Sequence, residues 1–316
     1  MKIILIGPGF KPIPPVGWGA IESLVWDYYE NLKKCNIDAM IINNTNLKQI
    51  VEVCNQQSPD IVHIMYDDYI VIAPHLRCRK ILYTSHYAYI THPHFAEAFP
   101  HYFHHIFKQV IENQNYIKLH AISSQIADVY KQHGYQGHIN VLCNGAREDL
   151  FAYTLNPEFP HNSIYVAKIE KRKAQYKYQH IPAIDFVGNY QDSSFDRTNP
   201  NYLGEWNKPT LYKNLTNYGN LVLLSEGEAD PLVVKEALIA GLGVVVSECA
   251  TANIDTTYPF ISVIPNAQLN NISYITEKIT ENRNYSVQHR EDIREYALQH
   301  FAWNHIVQTY IKLCAE

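Results

Sequence analysis

Apolar residues along the chain fall into short unbroken runs separated by longer stretches at helical spacing. Residues 2–6, 39–42, 61–65 and 80–83 are runs of the length and composition buried on both faces of a parallel sheet. Between the first two runs, Ile21, Leu24, Val25, Tyr28 and Leu32 form the inner stripe of a helix that starts near Ala20. Residues 47–56 make a second helix. Strands are expected at 120–123 and 141–143, flanking a helix over 123–130 with a serine at its start. The pattern resumes with runs at 164–168, 184–187, 221–224 and 244–247. A strand end and helix follow over 267–282, then helices over 292–300 and 302–313, the last carrying Trp303, Ile306, Tyr310 and Ile311 on one face. Strand alternating with helix predicts an α/β protein with parallel sheets. A chain of 316 residues suits one large or two ordinary domains, and Pro157 and Pro160 mark a boundary within 154–162.

The densest polar chemistry lies between two of these runs, in residues 221–248, LVLLSEGEADPLVVKEALIAGLGVVVSE. The order is strand, loop, helix, turn, strand. Residues 225–230 carry three carboxylates. Asp230 can cap the helix, and Pro231 stands where a first helical residue tolerates a missing N–H. Leu232, Val233, Glu236, Ala237 and Ala240 keep helical spacing, and Gly241 is a natural stop. On a single helix Glu228 and Glu236 would be turned about 80° apart. With Glu228 in the loop and Glu236 in the second turn, both can face one crevice at the carboxyl end of a parallel strand, where open α/β sheets bind ligands. Free N–H groups at the helix start favour an anion. Carboxylates beside an anion can accept hydrogen bonds from sugar or ribose hydroxyls; acidic residues there would also complement the helix dipole.

Earlier in the chain, the first strand ends in Gly7-Pro8-Gly9, and Pro12 stands where a dinucleotide fingerprint needs a third glycine. The following Pro/Gly loop, with Gly17 and Gly19, feeds a helix start. It suits backbone approach to a phosphate, and equally an ordinary strand-to-helix turn.

The 221–248 block resembles the signature of glycosyltransferase family 4, the retaining GT-B glycosyltransferases. Ser225, Glu228, Pro231, Leu232, Glu236, Ala237, Leu238, Gly241 and residues 244–246 match. Ala229 and Asp230 replace the usual Gly and Phe, and Gly243 stands where Pro is usual. VAKIEKRKA resembles the family's Val-Gly-Arg-Leu-x-x-x-Lys-Gly, with Lys168 at the Arg position and Lys173 at the Lys position, and with Lys171 and Arg172 as alternatives. Gly17, Gly19 and Glu22 match the family's N-terminal loop. Asn144-Gly145-Ala146 followed by Phe151 resembles its passage out of the first domain.

The resemblance implies a GT-B fold: two facing Rossmann-like domains with parallel sheets and a cleft between them. The expected parts are an acceptor-side domain over 1–153, a nucleotide-sugar domain over 154–300, and a last helix, 301–316, crossing back to the first domain. It implies that Glu236 holds the donor ribose, and that Glu228 with the backbone of Ala229, Asp230, Pro231 and Leu232 holds the transferred sugar. Lys168 and Lys173 would neutralise the donor diphosphate, and Gly188 would flank the base. The loop with Gly17 and Gly19 would close on diphosphate and acceptor, and His86 would lie near the reacting sugar carbon, with His63 the alternative. Glu228, His86, Lys168 and Lys173 are then the catalytic set. The implied reaction is metal-independent, retaining transfer from a nucleotide-diphosphate-sugar co-substrate to a carbohydrate or other hydroxyl acceptor, with no cofactor. A non-catalytic nucleotide-sugar-binding subunit and a sugar-nucleotide epimerase are the alternatives on the same fold.

Composition narrows the field further. With 47% hydrophobic and 18% charged residues the chain is an ordinary globular one. A formal charge of −5 argues against nucleic acid as a partner. The six cysteines form no C-x-x-C, which suggests free thiols in a reducing compartment. The opening MKIILIG is too short for a signal peptide and no window approaches a membrane span, so a cytoplasmic protein with at most peripheral membrane contact is expected. His92, His94, Glu97, His101, His104 and His105 raise a metal question, but Pro100 is expected to interrupt that helix and no ligand motif results. The aromatic stretch reads instead as a half-exposed helix, suited to stacking on an acceptor sugar.

Overall fold

The computed structural model describes residues 1–17 and 19–316; Trp18, between the two loop glycines, lies outside them. The chain forms two compact units, Met1–Asn144 with Ile306–Glu316, and Gly145–His305.

In the first unit, β1 (Lys2–Gly7), β2 (Asp38–Asn43), β3 (Ile61–Ile64), β4 (Lys80–Ser85), β5 (Lys118–Ala121) and β6 (Ile139–Val141) make one parallel sheet in the order β2-β1-β3-β4-β5-β6. Ile3–Ile6 of β1 are wholly buried, as an unbroken apolar run requires. The helices are α1 (Ala20–Lys34), α2 (Leu47–Gln57), α3 (Phe107–Glu112) and α4 (Ser124–Gln132). Ser123 starts α4 as expected, its Oγ accepting from the Ile126 N–H at 3.2 Å. Two strands sit earlier than the apolar pattern suggests. β5 begins at Lys118 and β6 at Ile139, because the ladder set by β4 pairs Leu82 with Lys118 and so Leu119 with Ile139. Pro100 opens a helical segment rather than interrupting one: the Phe103 N–H bonds the Phe99 carbonyl at 3.1 Å. A proline costs nothing at a first helical position, where its N–H would have no partner. That segment passes through a π-helical turn, Tyr102–Ile106, into α3.

The second unit holds β7 (Phe159–Val166), β8 (Ile184–Val187), β9 (Tyr218–Leu223), β10 (Gly243–Ser247) and β11 (Ile261–Ile264) in a parallel sheet ordered β11-β10-β9-β7-β8. β7 begins inside the stretch 154–162 that proline content marks as a linker. The helices are α5 (Gln175–Tyr178), α6 (Lys208–Asn214), α7 (Leu232–Ile239), α8 (Ile272–Gln288), α9 (Arg290–Phe301) and α10 (Trp303–Ala315). Arg290 is buried, and among the described residues its guanidinium meets no carboxylate. Its guanidinium donates instead to the carbonyls of Thr154 at 2.7 Å and Tyr218 at 3.0 Å, and to Thr216 and Ala240. This clips the start of the unit to the far end of its sheet.

Helix α10 begins in the second unit and its residues from Ile306 onward belong to the first. There Tyr310 bonds His63 at 3.0 Å, and the Lys80 ammonium donates to the Cys314 carbonyl at 2.8 Å, a cation satisfying the helix's last acceptors. No helix among the described residues is long and apolar enough to cross a membrane.

Candidate functional site

In the second sheet β7 has β8 on one side and β9 on the other, so the connections after β7 and β9 leave a crevice at their carboxyl ends. Two loops meet there, residues 167–174 after β7 and 224–231 after β9. The Glu226 N–H bonds the Arg172 carbonyl at 2.8 Å. The Tyr165 hydroxyl donates to the Lys173 carbonyl at 2.6 Å and accepts from the Leu224 N–H at 2.9 Å, so one buried strand residue ties both loops.

The side chains converge as the backbone does. Lys173 pairs with Glu228 in a short contact, and Arg172 reaches the other Glu228 oxygen at 3.6 Å and the Gly227 carbonyl. Glu170 bridges Arg172 at 2.8 Å and Lys168 at 3.2 Å. The Glu228 side chain is only 8% exposed. Burial alone would raise its carboxyl, but Lys173 and then Arg172 outweigh that and hold it below the ordinary value. Lys168, Lys173 and Glu228 are thus brought together, with Arg172 and Glu170 completing a half-buried cluster of three cations and two carboxylates.

Glu236 lies at the start of the second turn of α7, paired with Lys208 at 2.6 Å. The start of α7 differs from the sequence expectation. Pro231 is the N-cap residue and, among the described residues, no side chain caps the helix. The Asp230 carboxylate is instead engaged inside the unit, by Lys235 in a short contact and by the Asn253 amide at 2.9 Å. Lys235 and Asp230 are 1% and 0% exposed. The Asp230 side chain is therefore committed to the packing of the loop. Ala229 and Pro231 are buried beside it and Leu232 is half-buried.

Gly188 closes the end of β8. A Cβ there would lie 1.8 Å from the Ala167 carbonyl oxygen, so no other residue fits. Just beyond it, Ile169 and the segment 189–191 exchange backbone bonds of 2.9 and 3.0 Å, which lays that segment along the cation loop.

In the first unit, Gly17 has a left-handed φ of +82° and Gly19 precedes α1. A Cβ on Gly19 would lie 2.9 Å from a Glu22 carboxylate oxygen, so this helix start already has an acidic side chain folded onto it. His86 follows β4 and is buried; burial pushes its imidazole down to about 4, and its Nε2 has no hydrogen-bond partner among the described residues. His63 has both ring nitrogens engaged, with Tyr310 at 3.0 Å and Thr84 at 2.8 Å, which leaves it a structural role. Asp67, beyond β3, accepts from Tyr83 at 2.5 Å and Tyr102 at 3.3 Å. Burial raises its carboxyl to about 6 against the pull of those hydroxyls.

Sequence reasoning placed no role on Glu170, Lys208, Tyr165 or Asp67. Glu170 carries a usable signal, since an acid within a basic run invites local pairing. Nothing in the sequence marks Lys208 or Tyr165, whose partners lie 28 and 59 residues away.

No family model matches the chain, and no curated protein matches it in sequence. Solved structures do match in fold. Sucrose-phosphate synthase from Thermosynechococcus elongatus superposes with a TM-score of 0.79 at 14% identity, over 100% of this chain and 99% of that one. Anabaena HepE in complex with UDP and glucose gives 0.74 at 15% identity, over 100% and 99%. AviGT4, a glycosyltransferase involved in avilamycin A biosynthesis, gives 0.72 at 11% identity, over 100% and 97%. The architecture, two parallel-sheet Rossmann-like domains, is that of the GT-B glycosyltransferases.

Proposed function

We propose that the chain is a retaining glycosyltransferase of the family 4 type, moving a sugar from a nucleotide-diphosphate-sugar donor to an acceptor hydroxyl. The observation that carries this reading is the meeting of Lys168, Arg172, Lys173 and Glu228 at the carboxyl ends of β7 and β9, with Glu236 on the helix that leaves the same loop. A donor diphosphate needs fixed cations both when bound and as it departs, and these three supply them without a metal ion. Lys168 offers a point charge and Arg172 a planar fork of donors. Glu236 accepts from the ribose hydroxyls. Glu228, kept ionised by its lysine, accepts from the transferred sugar, and the backbone N–H groups of residues 229, 230 and 232 donate to it.

In the reaction the bond from the anomeric carbon to the phosphate oxygen breaks. A bond from that carbon to the acceptor oxygen forms on the same face. The acceptor proton passes to the leaving phosphate oxygen. Lys173 and Arg172 hold the charge that grows there. We assign His86, neutral at working pH, to a hydrogen bond with the sugar, and Gly17 and Gly19 to backbone contacts with diphosphate and acceptor. HepE has been solved with UDP-glucose, which supports a donor of this class on this fold. Six free cysteines support a reducing, cytoplasmic setting.

The test is turnover. Purified protein in EDTA is given a panel of nucleotide sugars with and without glycan acceptors. We expect nucleoside diphosphate release that requires an acceptor and survives EDTA. Lys173→Ala and Glu228→Gln should each lower it about 100-fold or more while the circular dichroism is kept. Unchanged turnover in either variant contradicts the assignment. Sugar interconversion without acceptor would instead favour an epimerase, and donor binding with no turnover a binding subunit.

A further inference from the structure

Beside the cation loop lies a cavity of about 330 Å³ lined by Asn189, Tyr190, Arg197, Tyr202, Gly204 and Glu205. Its position follows from the backbone. The Ile169 N–H bonds the Asn189 carbonyl and the Gln191 N–H bonds the Ile169 carbonyl, and Ile169 stands between Lys168 and Glu170. The Gly188 N–H bonds the Gly204 carbonyl at 2.9 Å and joins the two walls. A nucleotide with its diphosphate on Lys168 and Lys173 would have this cavity next to it.

The lining combines aromatic faces with polar edges. Tyr190 and Tyr202 present rings with centroids 6.4 Å apart, and the Arg197 guanidinium lies 5.4 Å from the Tyr190 centroid. Asn189 donates to Glu205 at 3.2 Å and so orients the carboxylate. The cavity therefore offers a fork of donors from Arg197 and a pair of acceptor oxygens from Glu205. Guanine presents the complement of both: adjacent acceptors N7 and O6, which arginine reads in a bidentate manner, and adjacent donors N1–H and N2–H₂. Uracil has a single N–H between two carbonyl oxygens, so a carboxylate facing it meets repulsion. Adenine and cytosine place a ring acceptor beside their amino group and cannot give a carboxylate two donors.

We infer that this cavity seats the base of the donor and selects guanine, which makes the donor a guanosine-diphosphate sugar. The inference rests on the glycosyltransferase reading above. Calorimetric titration of the full chain with GDP, UDP, ADP, CDP and TDP tests it. GDP should bind at least about tenfold more tightly than UDP, the worth of one good bidentate pair. Glu205→Gln should bring GDP down towards the UDP level and leave UDP affinity within about twofold, and Arg197→Ala should weaken GDP most. Tightest binding of UDP or another base overturns the base assignment and leaves the glycosyltransferase reading standing. So does an equal loss for every nucleotide in Glu205→Gln. Failure of all five to bind overturns both.

Discussion

The two units share one architecture and handle ionisable groups in opposite ways at the ends of their central strands. In the first unit His86 and Asp67 follow neighbouring strands, and burial pushes the imidazole down to about 4 and the carboxyl up to about 6. Burial there drives each group towards its neutral form, with tyrosine hydroxyls rather than counter-charges around Asp67. In the second unit Glu228 is buried as deeply, yet Lys173 and Arg172 keep it ionised. Depth alone does not set charge state; the nearest partner does. At neutral pH His86 is neutral while Asp67, at about 6, is still largely ionised; a neutral imidazole suits hydrogen bonds to uncharged hydroxyls. A unit that keeps charges in fixed pairs suits a polyanion, which can take over the cations when it arrives.

The sharpest way to break the contrast is to remove one half of the deepest pair. Lys235→Met leaves the buried Asp230 carboxylate without its lysine partner, and should cost about 3–5 kcal/mol in urea unfolding. Asp230→Leu combined with Lys235→Met should recover most of that loss. A single variant as stable as the wild type would mean that the pair is not maintained in solution.

Next in size is His86. Its folded-state value lies below the ordinary 6.5, so its contribution is complete above about pH 6.5 and is lost as the pH falls towards 4. His86→Gln should therefore be less acid-sensitive than the wild type, by about 3 kcal/mol between pH 7 and pH 4. Parallel stability curves would count against burial of a neutral imidazole.

Asp67 should act with the opposite sign and somewhat less strongly. Its folded-state value lies above 3.8, so the folded state favours the protonated form and the wild type loses stability as the pH rises from about 4 to about 6. Asp67→Asn carries no such penalty and should gain on the wild type by up to about 3 kcal/mol across that interval. The smallest effect concerns local structure. Ser123→Ala removes the cap of α4 and should cost about 1 kcal/mol.

Much of this was legible in the sequence because the buried strands are continuous apolar runs. β8 falls at 184–187 as expected, and β1 differs by one residue. β5 and β6 shift because register belongs to the neighbouring strand, and Lys118 joins the ladder although nothing in its own segment requires it. The same limit applies at the site. Residues 168, 173, 228 and 236 stand out by motif and spacing, and three of them meet around Glu228 and Glu170. The inward turn of Asp230 was not legible. Its partner Lys235 is five residues on and Asn253 lies in a different loop, so no helical spacing links them.

The central claim is that the cation loop holds the diphosphate of a nucleotide donor. Titration calorimetry of the wild type and Lys173→Ala with a nucleoside diphosphate in EDTA tests it most directly. The account predicts saturable binding by the wild type and at least about tenfold weaker binding by the variant, the effect of one lost charge-assisted contact. Equal affinity in the two proteins, or no binding by the wild type, would contradict it.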